Sequence, residues 1–353
     1  MAALSRHDLT MVAMGLKRPT VKDVAREAGV SIATVSRAMS RPDDVKAATR
    51  DLVFATMKRL GYRANQAAAD LRRGSSKTLL VLVTEITNAF FAEFFKGIEE
   101  EARRNGYVVL IGDTSGQLEN ERAYSDMLLM NQAGGMIINA HSIPEDLLLK
   151  NQMGAYTGPP LVTCSEHKEI DLPTVKIDDE LGGRLAAQHL IDLGHKDMVQ
   201  VCGPLHVYGF ERRQHGFSQA LRRAGLDVQA TRDQVDNLSV DYGLRAARHL
   251  LAAKSLPTAV FAHNDETATG LLHGFVSAGL SVPRDISVIG YDDMPYSAVF
   301  NPQLSTIRLP RRRWGQLACR KLLSVLANEP SAGQKTIITP ELIARGSTAA
   351  PRP

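Results

Sequence analysis

The sequence predicts a mixed α/β chain in two parts, a small all-helical unit at the N-terminus and a larger core of two parallel sheets flanked by helices. From residue 20 to about residue 62, apolar residues recur at the three- and four-residue spacing of helices. From Thr78 onward, short apolar strands alternate with helical stretches, a pattern typical of parallel sheets covered by helices. A chain of 353 residues is long enough for both parts to bury cores of their own.

Residues 20–39 form a predicted helix-turn-helix, which is a pair of short helices joined by a tight turn. Gly29 stands where the first helix ends and a left-handed residue is needed. Ser31 is placed to N-cap the second helix, as Thr20 is for the first. The apolar faces of the two helices comprise Val21, Val24, Ala25, Ala28, Val35, Ala38 and Met39.

The second helix has the size that enters a DNA major groove, and its solvent side carries methyl-bearing, small and basic groups. Arg37 can bind a guanine edge or a phosphate, while Ile32 and Thr34 can place methyl groups against thymine. Ala33 lies on the same side. We therefore expect this helix to read DNA.

Positive charge is concentrated beside this motif. Residues 1–77 hold 15 Lys and Arg against 7 Asp and Glu, although the net charge of the whole chain is only +4. A polyanion is therefore expected to meet the N-terminal part alone. A third helix over about Ala47–Leu60 and a hinge helix with a basic linker over residues 63–77 complete this part. The third helix is predicted to pack Leu52, Val53, Met57 and Leu60 against the first two.

The core is predicted to consist of two lobes, because the strand series breaks near residue 178. The N-lobe takes about 78–177 and 309–340, and the C-lobe about 178–308. In such folds a ligand binds at the carboxyl ends of the strands, here in the cleft between the lobes. The predicted strands are Leu79–Val83, Tyr107–Ile111, Gly135–Ile138, Pro160–Thr163, Thr174–Ile177, Met198–Cys202, Thr231–Asp236, Thr258–Ala262 and Ile286–Tyr291. The predicted helices include Phe91–Arg104, Glu119–Gln132, Leu181–Leu193, Arg213–Ala224, Tyr242–Ala253 and Glu266–Ala278.

Sequence signatures of catalysis and metal binding are missing. The chain has no Walker-type loop, no HExxH and no nucleophile elbow, and His189 and His195 are not spaced as a helical metal pair. Cys164, Cys202 and Cys319 are far apart in sequence, which favours a reducing compartment over a metal site. We expect neither an enzyme nor a bound metal or cofactor.

A small-molecule binding protein of the periplasmic type, without a role on DNA, is the alternative hypothesis. It predicts a signal peptide and no helix-turn-helix. Residues 1–18 lack the apolar region of a signal peptide and read as a disordered lead-in, in which Met11 and Met14 are alternative starts to Met1. No apolar run of roughly 18 residues is present. These observations favour a cytoplasmic protein.

Motifs in the same order along residues 20–348 resemble the LacI/GalR family of bacterial transcription regulators. They are Val24–Arg37, Thr49-Arg50, Leu60–Tyr62, Asn65–Leu71, Asn88–Phe91, Gly203-Pro204, Arg213–Phe217, Ser287–Asp293 and Leu342–Thr348. Four further stretches resemble a cytidine-responsive member of that family: Val109–Asp113, Asp171–Asp178, Gln219–Arg223 and Thr258–His263. The resemblance implies a helix-turn-helix headpiece with a hinge helix, followed by a two-lobed core like that of periplasmic binding proteins.

The same resemblance implies a repressor that binds a pseudo-palindromic DNA operator as a homodimer, with a second DNA-bound regulator as a further partner. Leu71 would be the hinge wedge that opens a base step in the minor groove. Asn65 and several basic residues would contact phosphates. The implied DNA-binding residues are Thr20, Lys22, Ile32, Ala33, Thr34, Arg37, Arg63, Asn65 and Leu71.

For the cleft, the resemblance implies a small-molecule effector that is either a nucleoside or a sugar. Phe90 would stack on a planar face, Arg213 would offer its fork of donors, and Asp292 would accept from paired hydroxyls. Leu238, or Asn237 by a one-residue shift, stands where several members have an aromatic residue. The implied effector-binding residues are Phe90, Phe91, Ser165, Arg213, Leu238, Asn264, Asp265 and Asp292.

Overall fold

The structure is a computed structural model that describes residues 19–62, 76–140, 143–149, 156–166, 170–227, 229–231, 238–330 and 333–352. The chain divides into two compact units, Met1–Ser75 and Ser76–Pro353. Three of the predicted DNA-binding residues, Arg63, Asn65 and Leu71, lie outside the described residues. Among the described residues, every helix is too short or too polar to cross a membrane.

The N-terminal unit contains the predicted helix-turn-helix and a third helix. Helix α1 spans Val21–Glu27, α2 spans Ile32–Ser40 and α3 spans Ala47–Leu60. Their core is built from small and β-branched side chains, among them Val24, Val35, Ala38 and Val53, all of them fully buried. One core prediction is wrong: Leu52 is 50% exposed, because it lies about a quarter turn away from the buried face that Val53 defines on α3.

Side chains hold the N-terminal ends of both helices. The Ser31 hydroxyl accepts a hydrogen bond from the Thr34 amide at 3.1 Å, as predicted for the start of α2. At the start of α1, the Asp23 carboxylate accepts from the Thr20 amide at 2.9 Å and from the Thr20 hydroxyl at 2.7 Å. Gly29 ends the first helical segment at φ +63°, the left-handed conformation that glycine adopts readily.

The N-lobe of the second unit is built on a four-stranded parallel sheet in the order β2-β1-β3-β4. Its strands are β1 Thr78–Val83, β2 Val108–Asp113, β3 Gly135–Asn139 and β4 Leu161–Thr163. A two-stranded parallel sheet, β5 Val175–Ile177 with β11 Thr336–Ile338, adjoins it. The helices of this lobe are α4 Phe91–Arg104, α5 Leu118–Leu129 and α10 Arg311–Leu326, and α10 packs against α4.

The C-lobe is built on a six-stranded sheet in the order β12-β10-β9-β8-β6-β7. All neighbours are parallel except β12, which runs antiparallel to β10. Its strands are β6 Met198–Val201, β7 Gln229–Thr231, β8 Ala259–Ala262, β9 Ser287–Asp292, β10 Ser305–Arg308 and β12 Glu341–Ile343. Its helices are α6 Asp179–Asp192, α7 Tyr208–Arg223, α8 Val240–Leu251 and α9 Asp265–Ser277.

Among the described residues, most predicted element boundaries lie within three residues of those in the structure. Helix α7 is the exception, since it begins five residues earlier than expected, at Tyr208. Of the strand expected at Thr231–Asp236, residues 232–236 lie outside the described residues, and β7 covers Gln229–Thr231. Strands β10, β11 and β12 were not predicted. Each of them has only three or four residues, so its alternation is too short to read, and its pairing partner is distant in sequence.

Candidate functional site

The first candidate site is the exposed side of α2. Ile32 is 44% exposed, Ala33 and Arg37 are exposed, and Thr34 is half-buried. The Thr34 hydroxyl lies 2.9 Å from the Ser31 hydroxyl, so it already has a partner within the cap. This side of α2 therefore presents methyl groups together with one guanidinium, as predicted.

Two further predicted residues lie near the start of α1. Thr20 and Lys22 are both exposed. The Thr20 hydroxyl is bonded to Asp23, whereas no described ion pair involves Lys22. The Arg26 guanidinium is 2.7 Å from Asp23, so a phosphate would have to compete with that carboxylate.

The second candidate site is a cavity of about 400 Å³ between the two lobes. Residues that follow strands of both sheets line it, as expected for the carboxyl ends of parallel strands. Seven of the eight predicted effector-binding residues are brought together on its wall: Phe90, Phe91, Ser165, Arg213, Leu238, Asn264 and Asp292.

Asp265 is not on that wall, and its prediction as a cavity residue is corrected here. Its side chain is fully buried and turned toward the segment after β9, where it accepts from the Ser297 hydroxyl at 2.6 Å and the Met294 amide at 2.8 Å. The Thr306 hydroxyl donates to it at 2.7 Å. Burial raises the pKa of Asp265 to about 6. These bonds tie the segment that follows Asp292 to the first residue of α9.

Arg213 is held rigidly beside the cavity by contacts on three sides. Its Nε donates to the Asp179 carboxylate at 2.8 Å, and one terminal nitrogen donates to the His263 carbonyl. The guanidinium carbon lies 3.7 Å from the centroid of the Tyr291 ring. Only 8% of the residue is exposed, so the fork of donors is fixed before a ligand arrives.

Asp292 ends strand β9 with an unusual backbone conformation, φ +109°. Its Oδ1 atom is buried and has no hydrogen-bond partner. Burial raises the pKa of this carboxyl well above its usual value, although the Arg213 guanidinium opposes that shift. A buried carboxylate oxygen without a partner is costly, and a ligand hydroxyl donated to it would remove that cost.

The N-lobe side of the cavity offers an aromatic surface. The Phe90 ring packs edge-on against Phe91 at 5.2 Å and against Trp314 at 6.2 Å. The Asn88 side chain accepts from the Phe90 amide at 2.8 Å, which fixes the turn before α4. Trp314 is itself anchored, since its indole nitrogen donates to the Val175 carbonyl at 2.7 Å. A planar or apolar ligand face has a rigid platform here.

Sequence reasoning missed several lining residues. Asn139 ends β3, and its buried Nδ2 has no hydrogen-bond partner. This atom can donate to a ligand, just as the Oδ1 of Asp292 can accept from one. The position of Asn139 at the end of a predicted strand was a usable signal. Lys176, Asp179 and Tyr208 also line the cavity, and no spacing in the sequence marks them.

Asp292→Asn tests the unpartnered oxygen. Asparagine tolerates a positive φ and has the same side-chain shape as aspartate, but a neutral amide replaces the carboxylate acceptor. We expect the affinity for a hydroxyl-bearing ligand to fall roughly tenfold to a hundredfold. The pKa of Asp292 is raised in the folded state, so ionising this carboxyl destabilises the fold at neutral pH. Asparagine removes that ionisation, and the melting temperature of the unliganded variant should therefore not fall. Calorimetric titration and thermal unfolding measure both effects; an unchanged affinity would remove Asp292 from the site.

Comparisons with known proteins match both parts of the chain. The family described as bacterial regulatory proteins, lacI family, matches residues 20–65, and the periplasmic binding protein-like domain matches residues 187–348. The chain is 36% identical over 332 residues to the HTH-type transcriptional repressor CytR of Escherichia coli (strain K12), covering 94% of this chain and 96% of that one. It is 35% identical to the HTH-type transcriptional repressor PurR of Photobacterium profundum, covering 93% of this chain and 98% of that one.

Solved structures give the same assignment. A lac repressor dimer bound to operator and the anti-inducer ONPF matches with a TM-score of 0.83 and 28% identity, covering 95% of this chain and all of that one. A LacI family regulator from Enterococcus faecium with bound ribose matches with a TM-score of 0.69 and 29% identity, covering 78% of this chain and all of that one. Both relatives, CytR and PurR, are named as transcriptional repressors. This chain belongs to the lacI family of bacterial regulatory proteins.

Proposed function

We propose that this protein represses transcription by binding operator DNA through α2 and that a small molecule held between the lobes changes its operator affinity. One observation supports this proposal above all: the chain contains both a helix-turn-helix and a cavity into which each lobe contributes a polar group without a hydrogen-bond partner. CytR and PurR, which match along nearly the whole chain, are named as repressors.

A ligand can act on DNA binding only through a difference in its affinity for the two states of the protein. Asn139 belongs to the N-lobe and Asp292 to the C-lobe, and each has one atom that lacks a partner. A ligand that satisfies both atoms contacts both lobes at once. It therefore favours one relative position of the lobes, and operator affinity follows the position that it selects.

The effector class that fits these groups is a nucleoside or a sugar. Asp292 would accept from a pair of hydroxyls, Arg213 would donate to a neighbouring oxygen, and Phe90 would cover a planar or apolar face. Ser165, Leu238 and Asn264 complete the proposed contacts. A panel of nucleosides and sugars, screened by thermal unfolding, tests this assignment, because a ligand that binds only the folded protein raises the melting temperature.

On DNA, the proposed assembly is a homodimer on a pseudo-palindromic operator. Two copies of α2 would enter successive major grooves, and Leu71 of each hinge would open a base step between the half-sites. Lys22, Arg63 and Asn65 would contact phosphates, a salt-dependent contribution without sequence preference. A second DNA-bound regulator remains a proposed partner, and the cytoplasm, where the three buried free thiols stay reduced, is the proposed compartment.

Arg37→Ala tests the recognition surface. Arg37 is exposed on α2. It is the only residue of that helix whose side chain can bind a guanine edge through two hydrogen bonds. We expect operator affinity to fall roughly ten- to a hundredfold, with a smaller loss on random DNA. Gel-shift titration on an operator selected from random duplexes measures both.

Arg103→Ala is the matched control, because Arg103 is an exposed arginine of the core unit paired with Glu99. It removes the same charge and should leave operator affinity unchanged. If Arg37→Ala weakened binding to operator and to random DNA equally, Arg37 would be a phosphate contact instead of a base contact.

A further inference from the structure

A cluster of charged side chains closes one edge of the cavity. Glu166 follows β4, and its carboxylate accepts from the Lys176 ammonium and from the Tyr208 hydroxyl, the latter at 2.7 Å. Lys176 also donates to the Tyr208 hydroxyl at 3.1 Å. Lys335 lies 3.1 Å from the other carboxylate oxygen. The cluster thus joins two strands of the N-lobe to the first residue of α7 in the C-lobe.

Within this cluster, Lys176 is the cation that reaches the cavity wall, and its charge is already neutralised. The hydrogen bond from Lys176 is the main cause that lowers the pKa of Glu166 to about 2, so Glu166 is ionised at neutral pH. An ammonium has three donors, and two of them are taken by Glu166 and Tyr208. Lys176 is therefore in place to donate one hydrogen bond but carries no uncompensated charge.

The other cation on the cavity wall is neutralised in the same way. The Arg213 guanidinium is paired with Asp179 at 2.8 Å. Glu85 also lines the cavity, so the two cations among the described lining residues, Lys176 and Arg213, do not outnumber the carboxylates there. A ligand that brought a negative charge into this space would add repulsion without gaining a free cation.

Backbone N–H groups at helix starts are the other usual phosphate ligands, and at three helix starts beside this cavity a side chain of the protein already accepts from one of them. Asn88 caps the turn before α4, Asp178 accepts from the Leu181 amide at 2.9 Å at the start of α6, and Asn264 accepts from the Thr267 amide at 2.8 Å at the start of α9. The start of α7 has no side-chain cap, but the Asp179 carboxylate lies close to Gly209 there, so an anion at this helix start would meet a negative charge.

We propose that this cavity takes an uncharged polyhydroxyl ligand and rejects its phosphate ester, and that Glu166 sets this selectivity by neutralising Lys176. The proposal rests on the proposed function, since it concerns the charge of the effector. Without Glu166, Lys176 would present a free ammonium to the cavity, which is the group a phosphate needs. Glu166 acts through Lys176, which lines the cavity, and is in this sense a specificity-determining residue.

The test compares matched ligand pairs on the full-length protein by calorimetric titration. The pairs are cytidine with its 5′- and 3′-monophosphates, and ribose with ribose 5-phosphate. In each pair whose unphosphorylated compound binds, we expect the wild type to bind that compound about a hundredfold more tightly than its phosphate ester. This factor is the expected effect of burying a charge without a partner. Equal affinity for a ligand and its phosphate ester would overturn the proposal.

Glu166→Gln keeps the size of the side chain and frees the charge of Lys176. We expect the preference for the uncharged ligand to narrow about tenfold, the scale of one charge-assisted hydrogen bond. Asp171→Asn is the matched control, because Asp171 is an exposed carboxylate 3.3 Å from Lys335 and has no contact with Lys176. An unchanged ratio in Glu166→Gln, or an equal narrowing in Asp171→Asn, would overturn the role of Glu166.

This inference and the proposed function fail in different ways. If none of the unphosphorylated compounds binds while a phosphate ester does, the inference is wrong although the cavity still binds an effector. If a compound binds but leaves operator affinity unchanged, the proposed function is wrong while the charge selectivity can still be measured.

Discussion

Replacing Arg213 by alanine is expected to weaken effector binding in the cavity between the lobes strongly. The guanidinium is fixed by Asp179, the His263 carbonyl and the Tyr291 ring, so its donors are ready for a ligand without loss of side-chain freedom. Removing one partner of a buried, hydrogen-bonded charge pair costs about 2–5 kcal/mol, which corresponds to a loss of affinity of roughly thirtyfold or more. Calorimetric titration with the ligand found in the thermal screen measures this loss.

The same substitution also destabilises the core unit, because Asp179 loses its cation in a buried setting. Arg213→Lys separates the two effects. Lysine keeps the charge beside Asp179 but lacks the planar fork, so this variant should unfold close to the wild-type temperature and still bind ligand poorly. If Arg213→Lys bound the ligand with full affinity, the fork geometry would have no role, and the cavity assignment of Arg213 would be wrong.

Gly183→Ala is expected to cause the largest loss of stability among the substitutions considered. Gly183 lies where α6 crosses α7, and a methyl group added there would sit 2.1 Å from the Arg213 carbonyl oxygen and 3.0 Å from the Phe217 amide. Both neighbours are helix backbone and cannot move alone. We expect the free energy of unfolding to fall by about 3 kcal/mol or more, as in other overpacked cores. Denaturant titration of the variant measures it.

Gly225→Ala serves as the control for this substitution. Gly225 has φ +70° and nothing within 4 Å of the added methyl group, so only backbone strain of about 1–2 kcal/mol is expected. Because the clash at Gly183 is with Arg213 itself, Gly183→Ala should also weaken ligand binding, whereas Gly225→Ala should not. Similar losses of stability in the two variants would contradict the close helix contact.

Local patterns in the sequence were sufficient to predict the described helices of the N-terminal unit, whereas the predicted lead-in over residues 1–18 and nearly all of the predicted hinge segment lie outside the described residues. Helical spacing, a glycine at the turn and Ser31 as a cap specify α1 and α2 over a short stretch, and the structure has the same arrangement. The prediction that Leu52 is a core residue was wrong, because helix propensity indicates a helix but not which side of α3 packs against its neighbours. The direction of a helix face depends on packing, which a single segment does not encode.

In the core, the rule that parallel strands end at one edge predicted where the cavity lies, and the family resemblance implied seven of its lining residues, but neither predicted the chemistry of the wall. Asn264 and Asp265 are adjacent after β8, yet Asn264 lines the cavity while Asp265 turns inward to Ser297 and Met294. The cluster of Glu166, Lys176 and Tyr208 depends on long-range contacts among β4, β5 and α7. Such contacts leave no periodic signal in the sequence.

The central claim is that a ligand in the cavity changes affinity for the operator, and operator titration with and without ligand tests it most directly. The operator is selected from random duplexes by the purified protein, and the ligand comes from the thermal screen. Allosteric coupling of about 1–3 kcal/mol predicts a change in operator Kd of roughly five- to 150-fold in the wild type and none in Arg213→Ala. A ligand that binds the wild type, with binding lost in Arg213→Ala, while operator Kd stays constant would contradict the account.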